Sequence, residues 1–152
     1  MSFDTRNGTR GAKQPSPGFF GKTMNNLMMN RARKRNVQMA GMRMLALTTI
    51  GKKSGEPRST PLAWFPGEDD TWLIAASAGG APKNPAWYYN IAANPDRVII
   101  ELNGERIPVV AEQLHGEERA RAWAQIKQTA ANFATYETKT DREIPVIRLT
   151  RA

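Results

Sequence analysis

The sequence predicts an α+β, mainly β protein: a small barrel of about six mostly antiparallel strands, with helices on its rim and one helix ahead of it. Three observations carry this reading. Six short runs rich in apolar and β-branched residues are separated by short turns, only two helical segments interrupt them, and strands do not alternate regularly with helices as a doubly wound sheet requires. At 152 residues, with 40% hydrophobic and 24% charged residues, the chain is one domain long enough to bury a core.

The elements follow in order. Residues 1–18 are polar and punctuated by Gly and Pro, which predicts a disordered arm ahead of a domain spanning 19–152. In GFFGKTMNNLMMNRARKR, Phe20, Met24, Leu27 and Met28 share one helical stripe, and the basic block RARKR (31–35) closes the segment. Such a helix either packs on the core with a solvated basic end or lies on anionic lipid. Strands are expected at MLALTTI (44–50), TPLAWF (60–65), WLIAAS (72–77), VIIEL (98–102), IPVVAEQL (107–114) and IPVIRLT (144–150). Asn103-Gly104 marks a tight hairpin between the fourth and fifth of these. Asn84-Pro85 starts and Asn94-Pro95 stops a helix over 85–95. A second helix runs from about Glu117 to Asn132, with Ala120, Trp123, Ala124, Ile126 and Lys127 as its expected buried stripe.

Composition removes several chemistries. Without cysteine there are no disulfides, thiolate nucleophiles or cysteine metal sites, and His115 as the only histidine removes histidine clusters, so no metal site is expected. No apolar run approaches the roughly 20 residues that span a bilayer. The polar start is unlike a secretory signal, so the expected location is cytoplasmic, with peripheral contact at the inner face of the cell membrane through residues 19–35. Charge is unevenly placed. Residues 1–58 hold 12 Lys and Arg against Asp4 and Glu56, a balance of +10, whereas 59–152 hold 10 basic against 12 acidic residues, a balance of −2. Nucleic acid is not an expected partner, because no helix-turn-helix, zinc finger or ribonucleoprotein aromatic motif accompanies the basic character.

Three segments can carry chemistry. GKKSGEPR (51–58) is a turn between two strands, yet it holds Lys52, Lys53 and Arg58 beside Ser54 and Gly55. It is either a solvated hairpin or an anion site, in which glycine lets amides converge while Arg58 takes a phosphate or carboxylate bidentately. ASAGGAPKNPAW (76–87) ends a strand, turns through small residues and enters a helix. Its bare backbone lets a flat ring approach, the helix N-terminus favours a negative group, and Trp87 either walls the ring or fills core. FATYETKTDREIP (133–145) is read as a loop in which Tyr136 either packs, or donates a proton and orients a carbonyl oxygen.

LTTIGKKSGEPRSTPLAWF (47–65), AASAGGAPKNPAWYYNIAANPDRVII (75–100) and TDREIPVIRLT (140–150) together resemble the deazaflavin-dependent nitroreductase family of actinobacteria, over roughly residues 20–152. The resemblance implies a split β-barrel and coenzyme F420, an 8-hydroxy-5-deazaflavin carrying a phosphate and a polyglutamate tail; FMN on the same barrel is the alternative. It implies that Lys52, Lys53, Ser54, Gly55 and Arg58 hold the phosphate and tail. Pro61, Ala76, Ser77, Ala78, Gly79, Gly80 and Ala81 lie along the ring, and Asn84, Trp87 and Lys83 complete the pocket. Tyr136 and Ser77 stand at the catalytic positions. The implied reaction is hydride transfer to an electron-poor small molecule: a quinone, an activated enone or a nitroaromatic.

The sequence departs from the nitroimidazole-activating pattern of that family. Ala130 and Phe133 stand where tyrosines are found, Ala78 replaces a lysine beside the ring, and Trp64 lies near an aromatic wall position. Fewer hydroxyls place a polar nitro group less well, so the expected acceptor is a quinone or enone.

Overall fold

The computed structural model describes residues 3–11, 29, 38–39 and 42–152. The strands are β1 (Gln38–Met39), β2 (Met42–Ile50), β3 (Pro57–Pro66), β4 (Trp72–Ala75), β5 (Val98–Leu102), β6 (Glu105–Gln113) and β7 (Val146–Arg151). The helices among the described residues are α1 (Ala86–Ala93), α2 (Gly116–Thr129) and α3 (Ala131–Lys139), with a 3-10 turn at Ala78–Gly80. The helix expected near Phe20–Arg31 lies outside the described residues except for Met29, which is helical and buried.

Every strand pairing is antiparallel, in the order β1-β2-β3-β4-β7-β6-β5, and β5 returns to β2 to close a six-strand split β-barrel to which β1 is appended. Closure removes the unpaired edges that an open sheet of this size exposes. Register follows the turns. Asn103 and Gly104 take φ of 51° and 77°, both left-handed, as the two-residue turn joining Leu102 to Glu105 requires.

Strand alternation divides the core. Leu45, Leu47, Ile74, Ile100, Val109, Ile147 and Leu149 fill the barrel with Trp87, Tyr88 and Ile91 of α1. Phe65, Leu73 and Val146 face the other way and pack under Trp123, Ile126 and Phe133 of the rim helices. Each fully buried aliphatic side chain contributes about 1.5–3 kcal/mol.

Three differences from the sequence reading concern the ends of elements. The buried positions of α2 are Ala122, Trp123 and Ile126, with Ala130 closing the stripe, while Ala120 and Ala124 face solvent. The helical segment breaks at Ala130, which is extended (φ −135°, ψ 93°), and α3 resumes over 131–139 where a loop was expected. Thus Tyr136 sits on a helix. Residues 3–11, expected within a disordered arm, instead form a strap hydrogen-bonded to the loop before α1 and to the loop before β7.

Candidate active site

The turn 51–56 closes on itself. Gly51 N–H donates to Glu56 O at 2.8 Å, Gly55 N–H to Gly51 O at 2.9 Å, and Glu56 N–H to Ser54 Oγ at 3.1 Å. Gly55 takes φ +71°, and a Cβ on Gly51 would collide with Ser54 Oγ, so both glycines are needed by the turn itself. Lys52 N–H donates to Asn90 Oδ1 at 2.9 Å, and Asn90 Nδ2 donates to Thr49 Oγ1 at 3.2 Å, which docks the turn on α1. The amides of Gly51, Lys52, Gly55 and Glu56 are therefore already engaged.

Between this turn and the loop before α1 lies an open cleft of about 1300 Å³. Lys52, Lys53, Ser54 and Arg58 line one end; Ala78, Ala81, Lys83, Asn84, Trp87 and Tyr89 line the other. Its lining holds four cations, Lys52, Lys53, Arg58 and Lys83, and no carboxylate. Among the described residues no ion pair engages any of the four. The first residues of α1, Ala86 and Trp87, also line the cleft, and the helix has no side-chain cap. Its N-terminal dipole adds to the positive field.

The structure thus gathers most of the sequence-predicted residues. Gly55, Pro61, Ala76, Ser77, Gly79, Gly80 and Tyr136 lie outside the lining. Ala76 is fully buried in the barrel core, and Pro61 sits in β3 opposite Ala46. Ser77 and Gly80 shape the turn, with Gly80 N–H donating to Ser77 O at 2.9 Å. Ala78 takes φ 48° without being glycine, local strain of the kind found at ligand-binding turns. A Cβ on Gly80 would lie 2.9 Å from Tyr136 O, so α3 rests directly on this turn. The Tyr136 hydroxyl accepts from Asn132 Nδ2 at 3.1 Å. Ala130 and Phe133 are buried in the helix–sheet core, and Trp64 packs against the barrel core with the Arg43 guanidinium 5.5 Å from its ring.

Sequence reasoning missed Asn7, Tyr89 and Asn90 as cleft residues. Asn7 comes from the strap: its Oδ1 accepts from Asn84 N–H at 3.1 Å and from the Tyr89 hydroxyl at 2.6 Å. Thr5 continues the tie, its N–H donating to the Tyr88 hydroxyl at 3.1 Å while Asn84 Nδ2 donates to Thr5 O at 2.9 Å. Tyr88 in turn donates to Gln113 Oε1 at 2.6 Å, and burial pushes its hydroxyl above the usual tyrosine range, against the pull of the Thr5 amide. Asp141 anchors the far end of the strap, accepting from Thr9 N–H, the Thr9 hydroxyl and Arg10 N–H. Those bonds, the Thr9 hydroxyl's first, hold its carboxyl at about 2, below the ordinary 3.8.

Comparison with known proteins bears on the family and the fold. A family model described as F420H(2)-dependent quinone reductase matches residues 22–151. The F420H(2)-dependent quinone reductase Rv1261c of Mycobacterium tuberculosis is 42% identical over 110 residues, covering 70% of this chain and 72% of that protein. A solved F420-H2 dependent reductase (FDR-A) superposes with a TM-score of 0.62 at 39% identity, over 70% of this chain and 92% of that one. Another structure, described as a domain-swapped dimer, gives 0.63 at 39% identity, over 70% of this chain and 78% of its own. Matched from residue 22 to residue 151, and sharing its barrel with a reductase of that cofactor, the chain belongs to the F420H(2)-dependent quinone reductase family.

Proposed function

We propose that this chain passes a hydride from reduced coenzyme F420 to a quinone or an activated enone, with nitroaromatics as poorer acceptors. The observation that carries the reading is a cleft lined by four cations and no carboxylate, which suits a cofactor bearing a phosphate and several carboxylates. Lys52, Lys53, Ser54 and Arg58 hold the phosphate and tail. The small side chains of Ala78 and Ala81 let the ring lie close to the backbone, and Asn84 and Trp87 close its far side. When bound, reduced deazaflavin supplies the hydride. Tyr136, with Ser77 nearby in the chain fold, orients the acceptor oxygen or delivers the proton, a role supported by the packing of α3 on Gly80. Ala130 and Phe133 offer no hydroxyl for a nitro group and lie in the core, which favours an apolar acceptor. Peripheral membrane contact through residues 19–35 fits such an acceptor. No helix among the described residues is long and apolar enough to cross a membrane.

The test is a titration of intrinsic fluorescence with F420 and with FMN in parallel, followed by F420H2 oxidation with a short-chain naphthoquinone. F420 is expected to bind more tightly than FMN. Changing Lys52, Lys53 and Arg58 together to Ala should weaken F420 about 100-fold, from roughly 1 kcal/mol per exposed contact. Preference for FMN would replace the cofactor, and F420 binding without quinone turnover would make the protein a carrier.

A further inference from the structure

Arg142 is 5% exposed and lies behind the turn that the cofactor ring is proposed to face. Its Nη1 donates to Ala76 O at 2.8 Å and to Asn84 Oδ1 at 2.6 Å, its Nη2 to Ser77 O at 2.8 Å, and its Nε to Ala81 O at 3.2 Å. All four acceptors are neutral, and all belong to the segment 76–84 that supplies Ala78, Ala81 and Asn84 to the cleft.

The adjacent carboxylates are turned elsewhere. Asp141 accepts from Thr9 and Arg10 of the strap, and Glu143 pairs with Arg119 Nε at 3.0 Å. Among the described residues no carboxylate lies within ion-pair distance of Arg142. The titratable side chains facing it are Tyr89 and Tyr88 of α1; burial lowers the Arg142 pKa, and the two tyrosines act in the opposite sense. Lys83 in the cleft and Lys139 of α3, whose Cβ is 3.0 Å from a Cβ built on Gly80, add only positive charge. An arginine stays ionised even here. A buried guanidinium satisfied in hydrogen bonds but not in charge costs stability that a purely structural tie does not require, since a neutral amide can bind carbonyls as well. An anionic ligand in the cleft would supply the missing negative charge.

We propose that Arg142 is a positioning residue whose unneutralised charge, set behind the turn 76–81, makes the cleft select the anionic form of its ring ligand. This rests on the deazaflavin reading. An 8-hydroxydeazaflavin has a hydroxyl conjugated with its ring, which ionises as a phenol does, so a fixed cation nearby stabilises the ionised ring.

The experiment follows the ionisation of the 8-hydroxyl by the absorbance of F420 held at saturating protein, alongside its affinity. In the wild type the hydroxyl should ionise at least one pH unit below that of free F420. The Lys52, Lys53 and Arg58 triple Ala variant should bind more weakly yet retain most of this shift, because its missing charges lie at the tail end of the cleft. Arg142→Gln should lose the shift and bind F420 at least 10-fold more weakly, whereas Arg142→Lys should keep the shift. Equal weakening in the Lys and Gln variants with the ionisation unmoved would make Arg142 a structural tie and overturn the inference. If Arg142→Gln does not fold, the wild type and the triple variant decide: no shift in the wild type, or a shift abolished by the turn substitutions, overturns it. F420 binding without a shift sinks this inference alone; absence of F420 binding to the wild type sinks the cofactor reading and this inference together.

Discussion

Tyr136 is half-buried on α3, its ring 5.4 Å from that of Phe133 in an edge-on contact and 6.0 Å below Lys139 Nζ. Asn132, one helical turn earlier, donates to its hydroxyl, so the phenol proton remains available to a partner. A residue that orients an acceptor oxygen acts after the cofactor is bound. Tyr136→Phe should therefore leave the F420 dissociation constant within about twofold and lower kcat/KM for a quinone about 10-fold to 100-fold, the worth of one hydrogen bond of roughly 1.5–3 kcal/mol. A Tyr136→Phe variant whose kcat/KM is unchanged would hand the proton to solvent and leave Tyr136 a packing residue. Tyr136 was legible as a candidate through the family resemblance, although the loop expected around it is a helix. Arg142 was not, because nothing in TDREIP distinguishes a surface arginine from one whose guanidinium turns onto carbonyls some 60 positions earlier, at Ala76 and Ala81.

At the scale of elements, the strap shows how composition misleads. Residues 3–11 are polar and Gly-rich because their partners are polar and the approach is close. Cβ atoms on Gly8 or Gly11 would collide with Asp141 and with the backbone at Gly80–Pro82. Local sequence signals disorder there, since the satisfying groups lie on Pro82, Asn84, Tyr88 and Asp141. The strands were legible for the opposite reason: their alternation is local, and Asn103-Gly104 specifies its own register. Asp141 gives the strap a pH signature. Its folded value of about 2 lies below the ordinary 3.8, so the stability it contributes is present above about pH 4 and is lost as pH falls toward 2. In thermal melts, the gap between the wild type and Asp141→Asn should be constant from pH 7 to about 5 and close between about 4 and 2. Amide exchange at Thr9 and Arg10 should accelerate in the variant at pH 7. A gap unchanged down to pH 2, or exchange unaltered, would mean that the carboxylate does not hold the strap.

For the whole molecule, the barrel was visible in the order and spacing of its six runs, but its closure by β5 onto β2 was not, because pairing between strands some 50 residues apart leaves no local mark. The positive charge falls in two parts, as the sequence reading already had it. Lys52, Lys53 and Arg58 belong to the cleft, whereas RARKR precedes β1 and lies outside the described residues. The distinction changes the membrane test. Deleting the first 35 residues would remove the strap with the basic segment and confound lipid binding with damage to the cleft. Substituting Arg31, Arg33, Lys34 and Arg35 by Gln leaves Thr5 and Asn7 in place. At about 1 kcal/mol per basic residue near an anionic surface, the quadruple variant should bind vesicles containing phosphatidylserine at least about 100-fold more weakly. The cleft triple variant should sediment with the same vesicles almost as the wild type does, and the loss in the quadruple variant should shrink at high salt. If instead the cleft variant loses vesicle binding and the RARKR variant retains it, the lipid headgroup is only borrowing the phosphate site; if all three sediment alike, the basic segment has no part in membrane contact.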